Sequence, residues 1–213
     1  PCPIHHFTNI DYILLSHGHR DHLDTATLKK LVKQNPEVEI LCPLGFTRML
    51  KAVGFKHIHE AAWWQQYNTE KLDITFLPAK HWNRRLLTDY NTTLWGSFAI
   101  KSESTSIYFA GDTGYAHHFK EINQHFEGFD ICLMPVGAYK PKFVMEWAHT
   151  PPEEAVQGFH ELNGKTFIPM HYGTFDLSDE PASEPVKILK DLKENKQLNG
   201  HLKILKVGEE HHL

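Results

Sequence analysis

The sequence predicts an α/β fold in which residues 1–213 form a single domain. Its 213 residues, 41% of them hydrophobic, are enough to bury a sizeable core. Short apolar runs alternate along the chain with segments of helical periodicity. No repeat, low-complexity tract or linker-like segment divides the chain. We therefore expect one domain in which strands alternate with helices.

The strands and most of the helices follow from apolar runs, periodicity and turn-forming residues. Predicted strands are residues 11–17, 38–43, 72–79, 94–101, 106–112, 130–137, 166–171 and 201–207. Predicted helices are residues 25–34, 46–53, 117–126 and 185–195. The first helix should end at Asn35–Pro36, the second at Gly54 and the third near Gly128.

The segment "TPPEEAV" carries the clearest helix start. Thr150 is expected to be the N-cap, Pro151 suits the first helical position, and Glu153 stands where a capping box requires an acid. We expect this helix to end at Asn163–Gly164.

Composition excludes several classes of function. The net charge of -4 and the absence of a basic tract argue against a nucleic-acid partner. Cys2, Cys42 and Cys132 form no CxxC pair, which argues against a disulfide framework and a thiolate zinc site and favours a reducing, cytoplasmic location. No apolar run approaches the roughly 20 residues that span a bilayer. The sequence leaves the oligomeric state open.

Histidine is unusually frequent, with 17 residues, and the motif "HGHRDH" concentrates metal-binding side chains after an aliphatic strand. It supplies His17, His19, Asp21 and His22, and imidazole with carboxylate suits Zn²⁺ or, less selectively, Mn²⁺ or Fe. A histidine-rich surface turn is the alternative. The ordered pattern after a strand favours the metal site.

Three more apolar strands end in candidate ligands, which are His81, Asp112 and His171. Alone, each would more often be a structural residue. Because loops at strand ends converge in α/β folds, together they complete a set for two metals. The chain has no G-x-S-x-G elbow, and Cys132 lies within an apolar run. We therefore expect the nucleophile to be a hydroxide derived from a water whose pKa the metals lower.

The motif "HGHRDH" with these three residues resembles the metallo-β-lactamase superfamily. Segments 80–100, 108–115, 134–156 and 170–175 resemble its branch of N-acyl-phosphatidylethanolamine-hydrolysing phospholipases D and their bacterial relatives. The resemblance implies a four-layer αββα sandwich of two mixed sheets. It also implies N-terminal strands before His17, where this sequence has sixteen residues, so we expect the chain to lack them.

The resemblance implies two Zn²⁺ ions, with Mn²⁺ or Fe as alternatives. The first ion is held by His17, His19 and His81, the second by Asp21, His22 and His171, and Asp112 bridges them. Catalytic roles are expected for Asp21, Asp112 and His149. The implied activity is hydrolysis of a phospholipid or other phosphodiester, with peripheral membrane contact. A lactonase or other hydrolase of a soluble phosphorylated metabolite, and a non-catalytic metal-binding module, are the alternatives.

Two further residues are candidates for substrate binding. His149 precedes the helix at Thr150 and could contact phosphate or protonate a leaving group, or it could only pack beside the helix. Arg85 could bind phosphate through its planar fork, although bracing a loop with Asp89 is the favoured interpretation. The five tryptophans are expected in the core, with an acyl groove or membrane interface as the alternative. His211 and His212 are expected to lie at a frayed surface end.

Overall fold

Two β-sheets form the centre of the molecule in the computed structural model, which describes residues 3–67 and 69–211. The smaller sheet is parallel in both of its pairings, with the order β1-β2-β3. Its strands are β1 (Tyr12–Leu14), β2 (Glu39–Pro43) and β3 (His57–Ala61). The larger sheet is mixed, with the order β10-β9-β8-β7-β6-β5-β4. Its strands are β4 (Gln66–Tyr67), β5 (Asp73–Leu77), β6 (Ser97–Lys101), β7 (Ser106–Phe109), β8 (Phe129–Pro135), β9 (Gly164–Met170) and β10 (His201–Leu202).

The helices connect and cover these strands. After a 3₁₀ turn at Ile4–His6 they are α1 (Thr25–Gln34), α2 (Thr47–Val53), α3 (His118–Phe126), α4 (Lys142–Met145), α5 (Pro152–Glu161) and α6 (Glu184–Glu194). Helix α1 has the predicted bounds, because Asp24 caps it by accepting a hydrogen bond from the Thr27 amide at 2.8 Å. None of the helices in the described part of the chain is both long and apolar enough to cross a bilayer.

Three apolar clusters separate the layers. Residues alternate between the faces of a strand, so Ile40 of β2 packs towards α1 and α2, while its neighbour Leu41 packs against Phe76 and Phe98 between the sheets. On the other sheet, Tyr108 packs towards α3 and α5. The order is therefore helix, sheet, sheet, helix, which confirms the predicted αββα sandwich.

The prediction for the start of α5 is wrong. Thr150 does not cap the helix, which begins at Pro152 with Pro151 as its N-cap and ends at Glu161. The Thr150 hydroxyl instead donates to the Pro135 carbonyl at 2.9 Å, which links the segment before α5 to the end of β8. Both groups are buried, so this bond competes successfully with capping.

Two strands were absent from the prediction, and one was predicted too long. β3 has the sequence "HIHEA" and is largely half-exposed, so it lacks an apolar run, and β4 has only two residues. The predicted strand at 201–207 pairs only at its first two residues, because it lies at the sheet edge. Cys42 and Cys132 are free and buried, while Cys2 and His212 lie outside the described residues.

Candidate metal centre

Loops from both sheets bring the predicted ligands to one end of the sandwich. The motif "HGHRDH" forms the connection between β1 and α1, with His17 fully buried. His81, Asp112 and His171 follow the ends of β5, β7 and β9. Each of the last three therefore extends beyond a strand whose position the larger sheet holds fixed.

The first cluster contains His17, His19, His81 and Asp112. His19 Nδ1 lies 3.0 Å from His17 Nε2 and 3.1 Å from His81 Nε2. Asp112 Oδ2 is 3.8 Å from the Nε2 atoms of both His17 and His81. Three ring nitrogens and one carboxylate oxygen thus converge within 4.8 Å, a donor set that suits zinc.

The second cluster contains Asp21, His22, Asp112 and His171. His22 Nε2 is 3.3 Å from Asp21 Oδ2 and 3.2 Å from Asp112 Oδ2. His171 Nε2 is 3.2 Å from Asp112 Oδ1 and 3.6 Å from Asp21 Oδ2. Asp112 belongs to both clusters: its Oδ2 lies near ring nitrogens of both, and its Oδ1 lies near His171 Nε2.

Hydrogen bonds outside the clusters orient the donor atoms inward. His81 Nδ1 donates to the Ala148 carbonyl at 3.0 Å, so the lone pair of this ring is on Nε2, which faces the first cluster. His17 Nδ1 similarly contacts Ser16 Oγ at 3.0 Å. In the second cluster, His22 Nε2, His171 Nε2 and Asp112 Oδ1 are buried without a hydrogen-bond partner among the described residues. Such atoms need a ligand, and the donor set fits metal ions.

The charges of the site favour a bound cation. Burial lowers the pKa of His17 well below its usual value and that of His81 to about 3, so both rings stay in the neutral form that coordinates metals. Burial also opposes charge on His22, yet contacts with Asp112 and Asp21 raise its pKa to about 10. A positive charge is thus stabilised beside Asp112, and a metal ion can take the place of that proton.

Asn83 supports the metal loop and was not identified from the sequence. Its Oδ1 accepts a hydrogen bond from the Gly18 amide at 2.7 Å, and its Nδ2 donates to Thr93 Oγ1. Asn83 is buried, so loss of its side chain would leave the Gly18 amide without a partner. The only sequence signal is its place in "HWNRR", two residues after His81.

Arg85 also contacts this loop. Its Nη1 donates to the carbonyl oxygens of Gly18 at 2.5 Å and Leu23 at 3.0 Å. Asp89 Oδ1 accepts from the backbone amides of Arg85 and Leu86 rather than from the guanidinium. The guanidinium therefore connects the two ends of the loop that carries four of the proposed ligands.

We expect Arg85→Lys to reduce the free energy of unfolding by about 1 kcal/mol, because an ammonium cannot keep both carbonyl contacts in the same geometry. Denaturant unfolding of the metal-loaded protein measures the change. Arg84→Lys is the matched control, since Arg84 is exposed and, among the described residues, its side chain donates only to the Leu86 carbonyl. Equal stability of both variants would contradict a bracing role for Arg85.

His149 lies against both clusters without belonging to either. Its ring is 5.2 Å from the His81 ring and stacks on the His171 ring at 5.6 Å. Its Nδ1 is buried and has no partner among the described residues. Burial lowers the pKa of His149 to about 4. This side chain can therefore offer a hydrogen bond to a molecule bound at the metal centre.

The expectation that the tryptophans lie in the core is wrong. Trp63, Trp64 and Trp147 are exposed, and Trp82 and Trp95 are half-buried. Trp82 contacts the His19 ring at 4.5 Å and thus forms part of the surroundings of the first cluster.

Comparison with known proteins agrees with this geometry. The family model described as β-lactamase superfamily domain matches residues 1–172. An N-acyl-phosphatidylethanolamine-hydrolyzing phospholipase D of Caenorhabditis elegans is 32% identical over 90% of the chain and 57% of its own length. The mitochondrial enzyme of the same name from Saccharomyces cerevisiae is 34% identical over 91% of the chain and 43% of its own length. The chain thus spans about half the length of these curated relatives.

The fold is also found in solved structures. A metallo hydrolase from the archaeon Ignicoccus hospitalis superposes with a TM-score of 0.71 and 20% identity, covering 93% of this chain and 77% of that one. At this identity the likeness concerns the fold alone.

Proposed function

The chain belongs to the metallo-β-lactamase superfamily, and from that premise we propose that residues 1–213 form a dinuclear zinc phosphodiesterase domain of phospholipase D type. The observation that carries the proposal is the pair of donor clusters joined by Asp112. A structural zinc needs four ligands, whereas two clusters that share a carboxylate are typical of two-metal hydrolases.

In this proposal His17, His19 and His81 hold one zinc ion, and Asp21, His22 and His171 hold the other. Asp112, which belongs to both clusters, would be a ligand to both ions, and its negative charge would offset the repulsion between the two cations. When bound, the ions lower the pKa of a coordinated water and polarise a phosphoryl oxygen.

The remaining chemistry depends on how the side chains orient the reactants. Asp21 Oδ2 lies at the more exposed side of the second cluster, where it can orient a water molecule. The water oxygen forms a bond to phosphorus, the bond from phosphorus to the alcohol oxygen breaks, and a proton from the water passes to that oxygen. His149 Nδ1 is placed to donate or accept a hydrogen bond with a phosphoryl or leaving oxygen.

The proposed substrate is an N-acyl-phosphatidylethanolamine-like phospholipid. The names of the two relatives support this choice, as do the segments that resemble their branch. A lipid substrate requires peripheral contact with a membrane. The net charge of -4 does not favour nucleic acid.

The direct test uses the natural full-length protein, loaded with zinc and incubated with N-acyl-phosphatidylethanolamine. Mass spectrometry should detect N-acylethanolamine and phosphatidic acid, a chelator should prevent both, and added zinc should restore them. Intact lipid together with cleavage of a soluble phosphodiester or lactone would assign a soluble substrate instead. Bound metal without turnover of any of these would support a non-catalytic module.

We expect His149→Gln to lower kcat by about a hundredfold or more while both metal equivalents remain bound, because this residue contacts substrate rather than metal. Steady-state kinetics and metal analysis on the same sample separate the two effects. His117→Gln, at an exposed position before α3, is the matched control. Loss of metal from His149→Gln would show that the ring stabilises the centre instead.

A further inference from the structure

A cavity of about 400 Å³ opens beside the second cluster. Asp21, His22 and His171 line its inner end. The rest of its lining comes from the segment between β9 and α6, from Pro185 of α6, and from Gly137 and Ala138 after β8. A molecule bound at the second cluster would therefore extend directly into this cavity, whose volume is in the usual range for a small-molecule site.

Beyond the metal-cluster residues Asp21, His22 and His171, the lining is largely apolar. Phe175 is 62% exposed and Leu177 52%, so two large apolar side chains lack cover at the cavity wall. Other apolar contributions come from Tyr172, Ala182 and Pro185. Among the described lining residues there is no lysine or arginine, whereas Asp21, Asp176 and Glu180 are acidic. Away from the metal cluster, an uncharged apolar group is therefore favoured over an anionic one.

Glu180 holds two walls of the cavity together. Its carboxylate accepts hydrogen bonds from the backbone amides of Ala138 at 2.5 Å and Lys140 at 3.0 Å, and from Ser178 Oγ at 2.7 Å. Lys140 Nζ also pairs with Glu184 at 2.8 Å. These contacts fix the loop after β8 against the segment that contains Phe175 and Leu177. The shape of the cavity is thus set by the protein before a ligand binds.

We infer that this cavity binds the uncharged alcohol product through its single alkyl or acyl chain, an inference that rests on the proposed function. Cleavage transfers a proton to the alcohol oxygen, so this product leaves without charge. The other product keeps the phosphate and is an anion. Away from the metal cluster the cavity is apolar and carries only Asp176 and Glu180 as charged lining residues among those described, and its volume of about 400 Å³ suits a single chain, which assigns the one-chain alcohol side of the diester to this cavity.

The probes are N-acylethanolamines with acyl chains of increasing length, used below the concentration at which they aggregate. Binding to the full-length zinc-loaded protein is measured by calorimetry, and inhibition of bis(4-nitrophenyl) phosphate hydrolysis is measured in parallel. Affinity should rise about fourfold for each added methylene until the cavity is full. A fatty acid series should show the same gain per methylene, because that gain comes from the chain. Its carboxylate can also bind the zinc ions, so the two series are compared by this gain and not by absolute affinity.

Two variants and a control test whether the acyl chain of the probe binds in this cavity. Leu177→Asp adds a charge to the cavity wall, and Ala182→Trp fills the space. Each should remove the dependence of N-acylethanolamine affinity on acyl chain length. Leu87→Asp makes the same change on an apolar side chain that is 87% exposed and lies outside this lining, and it should bind like the parent. Equal weakening by Leu87→Asp and Leu177→Asp, or an affinity that does not change with acyl chain length, would overturn the assignment.

The two readouts separate this inference from the proposed function. If the protein hydrolyses bis(4-nitrophenyl) phosphate but its affinity for N-acylethanolamines does not change with acyl chain length, the cavity assignment is refuted and the proposed phosphodiesterase activity is retained. If the affinity for N-acylethanolamines rises with acyl chain length but the protein cleaves no phosphodiester, the chain-binding cavity is retained and the proposed reaction is refuted.

Discussion

Replacing Asp112 with alanine is expected to remove both metal ions and to reduce hydrolysis by orders of magnitude. The Asp112 carboxylate lies within 3.2 Å of both His22 Nε2 and His171 Nε2, and within 3.8 Å of His17 Nε2. Without it, Asp21 would be the only carboxylate left in the two clusters. Two divalent cations would then repel each other with no bridging charge between them, and neither site would keep its affinity.

Metal content per protein and turnover of a phosphodiester should be measured on the same preparation. Asp130→Ala is the matched control, because Asp130 also belongs to the large sheet but pairs with Lys165 and Ser106 at the start of β8. The control should lose some stability while keeping two metal equivalents. Near-normal metal content and turnover in Asp112→Ala would refute a shared carboxylate and with it the dinuclear assignment.

The proposed ligands could be predicted from the sequence because each lies at or just after the end of a strand that the sequence itself reveals. Four of them lie within residues 17–22, directly after an apolar run. His81, Asp112 and His171 each follow a recognisable strand, and strand ends converge whatever the details of the loops. Residue type and position relative to strands were therefore sufficient to predict which of these side chains the fold brings together.

The supporting contacts carry no such signal. Asn83 bonds to Gly18 across 65 residues, and Glu180 bonds to Ala138 across 42. Neither asparagine nor glutamate in a loop indicates which distant amide it will satisfy, since that depends on how the loops pack. The same reason explains the error at Thr150. Its hydroxyl was predicted to cap the adjacent helix, but it donates to the Pro135 carbonyl 15 residues away.

Gly137→Ala is expected to empty the second metal site while the first keeps its ion. An added Cβ at residue 137 would lie 2.1 Å from the His171 carbonyl oxygen, a backbone atom that cannot rotate away. His171 already has a positive φ of 59°. The end of β9, just before it, is held to the segment after β8 by the hydrogen bond from the Val136 amide to the Met170 carbonyl. The strain therefore displaces His171 and costs about 1–3 kcal/mol of stability.

Zinc analysis should give one equivalent in Gly137→Ala and two in the parent, because His171 is a donor only in the second cluster. Gly173→Ala is the control: it makes the same change two residues after His171, where the nearest atom to the added Cβ is 3.9 Å away. Its φ of 69° costs some stability without moving His171. Loss of both ions from Gly137→Ala would mean that the first cluster cannot retain its ion without the second. Asp112 would then have to act as a ligand that holds its position only when both clusters are filled.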